Sequence, residues 1–271
     1  MSEEPAPPVS RGDVARGAGL AGLSRLGALI EAVAQPLYVW LFGLATYGIY
    51  VVLWGAVSLL TNLVDLSMTQ ALQRVVPTQD KPDHAHGAVK LALLVSVVPA
   101  TLIALLISLN ATAVAALFSA SPEDSVRLPA AIALFAWALP LWTFIEVATS
   151  AARARRAFGP EIRIRIFWEQ LARIAFALGF FLLGFQSYGL MLAHLCSLGL
   201  TAALCVPLLA RYYDLRLLAR APMPLAMARN LIVSGLGLLP SNLSRRMLID
   251  APPVVLNLML PGVAGAAAAG L

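Results

Sequence analysis

The sequence predicts an all-α protein, a polytopic bundle of transmembrane helices, and three observations lead to this prediction. Hydrophobic residues make up 60% of the 271 residues and charged residues only 12%, whereas soluble domains are typically about 45–50% apolar and about 25% charged. Several apolar stretches reach the length of about 20 residues that a helix needs to cross a bilayer. Basic residues cluster in the short loops between these stretches, as membrane topology requires.

Six apolar stretches are predicted to be membrane-spanning helices. We place them at about residues 17–41, 46–65, 88–109, 128–150, 166–185 and 188–209. A seventh stretch, at about residues 230–249, is interrupted by Pro240. The Ala/Gly-rich residues 262–271 resemble the beginning of an eighth span, so we expect the chain to be the N-terminal part of a longer protein.

The distribution of basic residues predicts the orientation of the chain. The loops after the second, fourth and sixth spans contain Arg74, Lys81 and Lys90, then Arg153, Arg155, Arg156, Arg163 and Arg165, then Arg211, Arg216, Arg220 and Arg229. The loops after the odd-numbered spans contain almost none, with Arg127 as the exception. By the positive-inside rule, the N-terminus and the three basic loops are cytoplasmic. This placement accounts for the net charge of +5 without nucleic acid as a partner.

Eleven ionisable or amide side chains lie inside the apolar stretches, where a simple anchor would have leucine. They are Arg25, Glu31, Gln35, Asn62, Asp65, Glu146, Glu169, Arg173, His194, Arg245 and Arg246. A charge in the middle of a membrane costs about 2.5–3.5 kcal/mol on insertion scales. We therefore expect these side chains to face one another or a water-filled cavity, and a transport pathway is the first hypothesis.

The second span has a continuous polar stripe. Its members, at positions i, i+3, i+4, i+7 and i+11 of one helix face, are Ser58, Thr61, Asn62, Asp65 and Thr69. One interpretation is hydrogen bonding between helices, which contributes about 0.6 kcal/mol per contact in membranes. The other is the wall of a cavity in the cytoplasmic half of the bundle.

Charges also lie in the cytoplasmic halves of the first, fourth and fifth spans. Glu146 is in the fourth span, and Glu169 and Arg173 in the fifth are four residues apart, which favours an ion pair within one helix. In the first span, Glu31 shares a helix face with small residues. Arg25 either snorkels to the membrane surface or offers its planar fork to a phosphate. The set fits a gate held by salt bridges, a cavity for an anionic headgroup, or both.

The remaining candidate groups carry weaker signals. His84 and His86 form an H-x-H pair without two further ligands nearby, which favours a solvated loop over a metal site. His194 is alone in the sixth span and is more typical of a packed residue than of a proton carrier. Cys196 and Cys205 are nine residues apart on one helix, too distant for a disulfide. We expect no metal, no cofactor and, in the absence of hydrolase or nucleotide-binding motifs, no enzyme activity.

Residues 36–50, 65–74 and 245–250 form three segments that resemble polysaccharide flippases of the multidrug/oligosaccharidyl-lipid/polysaccharide exporter superfamily. Residues 36–50, from Pro-Leu-Tyr to Tyr-Gly-Ile-Tyr, resemble the end of helix 1 and the start of helix 2. Residues 65–74 resemble the family's Asp-Leu-Gly segment that ends in arginine, with Ser67 where glycine is usual. Residues 245–250 resemble its Asp-Arg-x-x-Ile motif in helix 7, with Arg245 in place of the usual aspartate.

The resemblance implies a particular domain organisation. Residues 1–15 would be a disordered cytoplasmic N-terminus, and residues 16–215 a six-helix lobe like that of multidrug and toxin exporters. Residues 216–271 would be the interlobe cytoplasmic loop and the start of a second lobe. Because one lobe cannot enclose a cavity formed by two, we expect the chain to be inactive without the C-terminal lobe or a second copy.

The resemblance also implies a function and roles for individual residues. Such a protein flips a polyprenyl-diphosphate-linked oligosaccharide across the bacterial inner membrane by alternating access, for lipopolysaccharide, O-antigen or exopolysaccharide synthesis. The implied diphosphate ligands are Arg25, Arg173 and Arg246, and the implied coupling or gate residues are Glu31, Asp65, Glu146 and Glu169. Ser58, Thr61 and Asn62 would line the cavity. Implied partners are the lipid-linked glycan, membrane lipid and polysaccharide polymerase machinery.

Two other functions compete with this prediction. A multidrug antiporter of the same superfamily would bind organic cations, for which a carboxylate cavity with few arginines is expected. A membrane-embedded glycosyltransferase or acyltransferase would need catalytic acids at the membrane surface. The outer loops here are short and poor in acids apart from Glu123 and Asp124, which disfavours an enzyme.

Overall fold

The structure is a computed structural model that describes residues 11–79, 81–118, 122–157, 159–185 and 188–260. No β-strand occurs among these residues, so the predicted all-α class is confirmed. The helices are α1 (Arg11–Phe42), α2 (Leu44–Asp65), α3 (Met68–Val75), α4 (Pro82–Leu109), α5 (Ala111–Ala115), α6 (Pro122–Phe135), α7 (Ala138–Ala154), α8 (Gly159–Glu161), α9 (Glu169–Leu182), α10 (Gly189–Tyr212), α11 (Leu215–Arg220) and α12 (Leu225–Met259). A 3₁₀ turn, Val76–Thr78, follows α3, and a π-helix, Ile162–Trp168, joins α8 to α9.

Four helical segments within the described ranges are long and apolar enough to cross a membrane. They are Leu44–Asp65, Pro82–Leu109, Ser125–Ala154 and Gly189–Tyr212. They coincide with the second, third, fourth and sixth predicted spans. The other three predicted spans are helical but do not meet the same criterion. The described apolar part of α1 is only Leu29–Phe42, α9 has 14 residues, and α12 contains two adjacent arginines.

The structure corrects two predictions about where helices are interrupted. We expected Pro240 to interrupt the seventh span, but α12 runs through it without a break. Proline removes one backbone hydrogen bond from a helix, and α12, which packs against α2 and α3, stays helical despite that loss. Conversely, the fourth span is not one helix, since α6 ends at Phe135 and α7 begins at Ala138. Pro140 lies in the first turn of α7, where a missing N–H costs little.

Two segments that we expected to be irregular are helical. Residues 11–15, predicted as part of a disordered N-terminus, form the start of α1, while residues 1–10 are outside the described ranges. Extending an existing helix adds one hydrogen bond for each residue fixed, which favours continuation from the apolar stretch. His84 and His86, predicted to lie in a loop, belong to the first turns of α4, which begins at Pro82.

The helix α7 lies at the centre of the bundle. Its residues Ile145, Val147 and Ala148 have no exposed surface, and it contacts α2, α3, α4 and α10. On the other side of α2 lies α12, and Gly55 permits their close approach. A Cβ atom at Gly55 would come within 2.9 Å of the Asp250 carbonyl oxygen. The polar stripe of α2 is therefore held directly against α12.

The predicted interlobe loop is largely ordered against α4. The backbone N–H of Asp214 donates a hydrogen bond of 3.1 Å to Nε2 of His86. The Lys90 ammonium donates to the carbonyl oxygens of Ala219 at 2.8 Å and Ala221 at 3.3 Å. The Asp214 carboxylate caps α11 by accepting the N–H groups of residues 216 and 217. The N–H group of Leu217, and then that of residue 216, hold the pKa of Asp214 below its ordinary value. These contacts set the position at which α12 begins.

Candidate binding cavities

Two adjoining cavities penetrate the bundle where the polar residues of several helices meet. One, of about 340 Å³, lies between α2, α3, α7 and α12, and we call it the α3 cavity. The other, of about 500 Å³, lies between α1, α2, α9 and α12, and we call it the α1 cavity. Four residues line both cavities: Trp142, Glu161, Arg165 and Arg246. The two cavities are therefore neighbouring parts of one polar region.

The charged residues of the two cavities differ in their balance. The α3 cavity is lined by four arginines and three carboxylates: Arg153, Arg165, Arg245, Arg246, Asp65, Glu146 and Glu161. The α1 cavity is lined by three arginines and four carboxylates: Arg165, Arg173, Arg246, Glu31, Glu161, Glu169 and Asp250. The α3 cavity thus has one excess positive charge and the α1 cavity one excess negative charge.

The structure brings nine of the ten predicted site residues to these cavities. Asp65, Glu146, Thr61 and Asn62 line the α3 cavity, Glu31, Ser58, Glu169 and Arg173 line the α1 cavity, and Arg246 lines both. Arg25 belongs to α1, but its side chain lies outside the described part of the structure. The roles assigned to these residues, in diphosphate binding, coupling and gating, stay predictions.

Both interpretations of the polar stripe on α2 apply. The hydroxyl of Ser58 donates to the Asp250 carboxylate on α12 at 2.7 Å, and that of Ser96 on α4 donates to Asp65 at 3.2 Å. Thr61 and Asn62 instead donate to carbonyl oxygens within α2 and face the α3 cavity. The stripe therefore joins three helices at its two ends and lines a cavity between them.

A sharp turn after Asp65 directs α3 along the cavity. Leu66 and Ser67 both adopt the left-handed backbone conformation, with φ of 48° and 59°. This conformation disfavours residues with a side chain, which gives a physical reason why glycine would be favoured where Ser67 stands. In this chain the Ser67 hydroxyl accepts a hydrogen bond of 2.9 Å from Asn242 of α12. Asn242 in turn accepts from Gln70 at 2.7 Å, which fixes α3 against α12.

An ion-pair network centred on Arg165 separates the two cavities. Its guanidinium lies 2.8 Å from Glu146 of α7 and 3.3 Å from Glu161 of α8. It also lies over the ring of Trp142, 4.5 Å from the ring centre. Glu161 makes a second ion pair, of 3.1 Å, with Arg153. These pairs tie the end of α7 to the segment that leads into the π-helix.

Sequence reasoning missed this network because it assigned three of its members to a cytoplasmic loop. The i, i+4 spacing of Glu161 and Arg165 was the available signal, since such pairs form on one helix face. The signal was incomplete because residues Ile162–Trp168 form a π-helix, whose wider turn changes the direction of each side chain. Close contact at Gly27, where a Cβ would overlap Ile166, places α1 directly on this π-helix.

The predicted ion pair of Glu169 and Arg173 is confirmed, at 2.5 Å. Both side chains are buried, with exposed fractions of 2% and 7%. Each charge is compensated within α9, so Arg173 is less available to a ligand than an unpaired arginine. A second i, i+4 pair, Arg246 with Asp250, is longer at 3.7 Å.

Arg245 differs from the other arginines of the α3 cavity. It is exposed at the cavity and forms no ion pair with any residue that the structure describes. It occupies the position at which the resemblance places an aspartate. This substitution makes the wall of the α3 cavity more positive.

The remaining candidates form structural contacts. His194 is completely buried, and its Nδ1 lies 2.9 Å from the Tyr50 hydroxyl and its ring against that of Trp54. This is the packed, hydrogen-bonded environment that we expected. Cys196 and Cys205 are both free thiols. Within the described ranges no three His, Cys, Asp or Glu side chains are grouped closely enough to hold a metal ion.

The chain matches no protein-family model, no curated protein and no solved structure. The resemblance to polysaccharide flippases therefore depends on the short segments in which it was noticed.

Proposed function

We propose that this protein is part of a membrane transporter that flips a polyprenyl-diphosphate-linked oligosaccharide across the bacterial cytoplasmic membrane. The observation that carries the proposal is the α3 cavity, in which four arginines face three carboxylates inside a bundle of apolar helices. An excess of positive charge among membrane-crossing helices is costly and is typical of a functional site. It suits an anionic group such as a diphosphate.

Two adjacent arginines of α12 are the best ligands for that diphosphate. Arg245 has no ion-pair partner among the described residues, and Arg246 is 3.7 Å from Asp250. A strong charge-assisted pair is about 2.7–2.9 Å long, so Arg246 is only loosely held. The planar guanidinium fork binds phosphate oxygens in a bidentate manner. Arg173, which is tightly paired with Glu169, supports the proposal less well.

The same cavity has groups suited to a glycan. Amide side chains line it beside the arginines, namely Asn62, Gln70, Gln73 and Asn242. Amides offer both donors and acceptors, which sugar hydroxyls require. Trp142 also lines the cavity, with the guanidinium of Arg165 over its ring. A diphosphate with its first sugar therefore finds charge and hydrogen-bonding groups in one place.

The proposal is tested by deleting the gene in cells that carry it and measuring polyprenyl-diphosphate-linked glycans by mass spectrometry. We expect the complete lipid-linked repeat unit to accumulate on the cytoplasmic side, with loss of surface polysaccharide. Wild-type protein should reverse both effects, and the Arg245→Gln/Arg246→Gln variant should not. Arg229→Gln, a change of an exposed arginine on the same helix outside both cavities, is the control and should behave as wild type.

A multidrug cation antiporter is the second candidate, and the α1 cavity favours it. That cavity has four carboxylates and three arginines, and Glu31 is exposed there without an ion pair to any described residue. This function predicts that the deletion leaves surface polysaccharide and lipid-linked glycans unchanged but makes the cells more sensitive to organic cations. That pair of results would reject the flippase proposal.

A further inference from the structure

A third depression lies on the outside of the bundle, between the π-helix and the last turns of α10. It has a volume of about 580 Å³ and a mainly apolar wall, to which Ile164, Leu204, Pro207 and Leu208 contribute. It shares no lining residue with the α3 cavity or the α1 cavity. We call it the α10 groove.

The α10 groove is open to the surroundings of the bundle rather than to its interior. Leu208 forms its buried floor, while Leu204 and Trp168 at its sides are 39% and 55% exposed. α10 is one of the four helices that are long and apolar enough to cross a membrane. In a bilayer such a groove faces lipid, and its apolar wall suits an acyl chain.

Two arginines lie at one end of the α10 groove. Arg211 is in the last turn of α10, and Arg163 is in the first turn of the π-helix. Both are exposed, and neither forms an ion pair with a residue that the structure describes. The Nε of Arg163 donates to the Gly159 carbonyl oxygen at 3.4 Å, which leaves its other donors available. Both lie at helix ends, among the basic residues that the positive-inside rule places at the cytoplasmic surface.

We infer that the α10 groove binds one anionic phospholipid, with the phosphate between Arg163 and Arg211 and an acyl chain along the apolar wall. Basic pockets between transmembrane helices on the cytoplasmic side bind anionic headgroups in this way. Trp168 lies where such a lipid passes from headgroup to chain, a position that tryptophan prefers in membranes. A soluble anion would not use the apolar wall. In a zwitterionic lipid such as phosphatidylcholine, the choline cation beside the phosphate opposes the two arginines.

The site is independent of the proposed transport cargo. The groove lies on one face of the π-helix, whereas Arg165 and Ile166 of the same π-helix line the α1 cavity. The headgroup bound here is a single phosphate of a membrane lipid and not a glycan-linked diphosphate. Failure of the flippase proposal would therefore leave this inference unchanged, and the reverse also holds.

The test uses the full 271-residue chain in vesicles of phosphatidylcholine with a variable share of phosphatidylglycerol. Bromine atoms on the acyl chains of one lipid quench nearby tryptophan fluorescence, and subtracting the signal of the Trp168→Phe variant isolates Trp168. We expect brominated phosphatidylglycerol to quench Trp168 at a mole fraction roughly tenfold lower than brominated phosphatidylcholine, since two arginines near a membrane surface favour an anionic lipid.

Two variants with the same change in charge make the test specific. Arg163→Gln/Arg211→Gln should reduce the preference to about twofold or less, because the residual attraction is that of the whole basic surface. Arg216→Gln/Arg220→Gln, which alters exposed arginines of α11 outside the groove, should retain it. Equal quenching of the wild type by both lipids, or an unchanged preference in the groove variant, would overturn the inference.

A third variant tests the apolar wall. Leu204→Phe narrows the groove and should weaken the quenching of Trp168 by both lipids. Unchanged quenching in this variant would also contradict the inference.

Discussion

The α3 cavity and the α1 cavity share α2 and α12 but neutralise their charges in different ways. In the α3 cavity, Arg165 pairs with Glu146 of α7, so the ion pair joins two separate elements. In the α1 cavity, Glu169 pairs with Arg173 of the same helix, four residues later. The first kind of pair holds helices together, whereas the second forms as soon as the helix forms.

The two kinds of ion pair differ in what they contribute to the structure. A pair within one helix removes the cost of two charges in an apolar bundle but fixes no tertiary contact. A pair between elements depends on the packing around it and also defines the shape of the cavity wall. We therefore expect substitutions in the ion-pair network of Arg165 to alter both the stability of the fold and the shape of the α3 cavity.

The largest effect is expected for Arg165→Gln. Its loss leaves Glu146 and Glu161 without their shared partner in a largely buried site, and removing one member of a buried pair typically costs about 3–5 kcal/mol. The free energy of unfolding in mixed micelles measures the effect. Arg229→Gln on the exposed side of α12 is the matched control and should change this free energy by less than about 0.5 kcal/mol. Similar stabilities for the two variants would show that the network does not hold α7 to the π-helix.

The next comparison concerns two glutamates. Glu169→Gln should lower the free energy of unfolding by about 3 kcal/mol, because it leaves the charge of Arg173 buried without compensation. Glu146→Gln should cost about 1–2 kcal/mol, because Arg165 keeps its pair with Glu161. The exposed fractions agree with this order, 2% for Glu169 and 15% for Glu146. A larger cost for Glu146→Gln in the same unfolding measurement would show that burial and the remaining Glu161 partner do not set the order of the two costs.

A glycine pair tests the contact between α2 and α12. Gly55→Ala places a methyl group 2.9 Å from the Asp250 carbonyl oxygen and should destabilise by about 1–3 kcal/mol, as overpacking does. At Gly237 of α12 an added Cβ meets nothing within 4 Å. Gly237→Ala should instead stabilise by up to about 1 kcal/mol, through helix propensity. Opposite signs in thermal unfolding support the contact, and equal signs contradict it.

The smallest effects are expected at Ser67. Ser67→Ala keeps the left-handed backbone and loses the hydrogen bond from Asn242, so it should cost about 1 kcal/mol. Ser67→Gly loses the same bond but relieves about 1 kcal/mol of backbone strain, so it should be nearly neutral. Equal losses for the two variants in chemical unfolding would mean that the turn after Asp65 is not strained.

The positions of the helices were largely predictable, because apolar length is a local property. The second predicted span, 46–65, became Leu44–Asp65, and the sixth, 188–209, became Gly189–Tyr212. The effect of Pro240 was not predictable in this way, since it depends on what packs against α12. The same applies to His86, which we assigned to a loop and which instead accepts a hydrogen bond from the Asp214 backbone, 128 residues away.

In the candidate site, too, features within one helix were predictable and contacts between helices were not. The polar stripe of Asp65 and its neighbours was visible because a helix repeats every 3.6 residues, and so was the pair of Glu169 and Arg173. Arg165 was missed as the centre of a network, because its partner Glu146 lies on another helix, 19 residues earlier. The positive excess of the α3 cavity was likewise not visible, since it arises only when α12 brings Arg245 and Arg246 to the end of α2.

Local sequence patterns were enough to predict the all-α class, most of the helix positions and the charges that an apolar bundle must compensate. These follow from the hydrophobic effect and from backbone hydrogen bonding, which act over a few turns of a helix. The packing of the helices sets which charges meet, which of the two cavities is positive, and where an open groove lies beside two arginines. Those features depend on distances between residues far apart in the chain, and helix packing sets those distances.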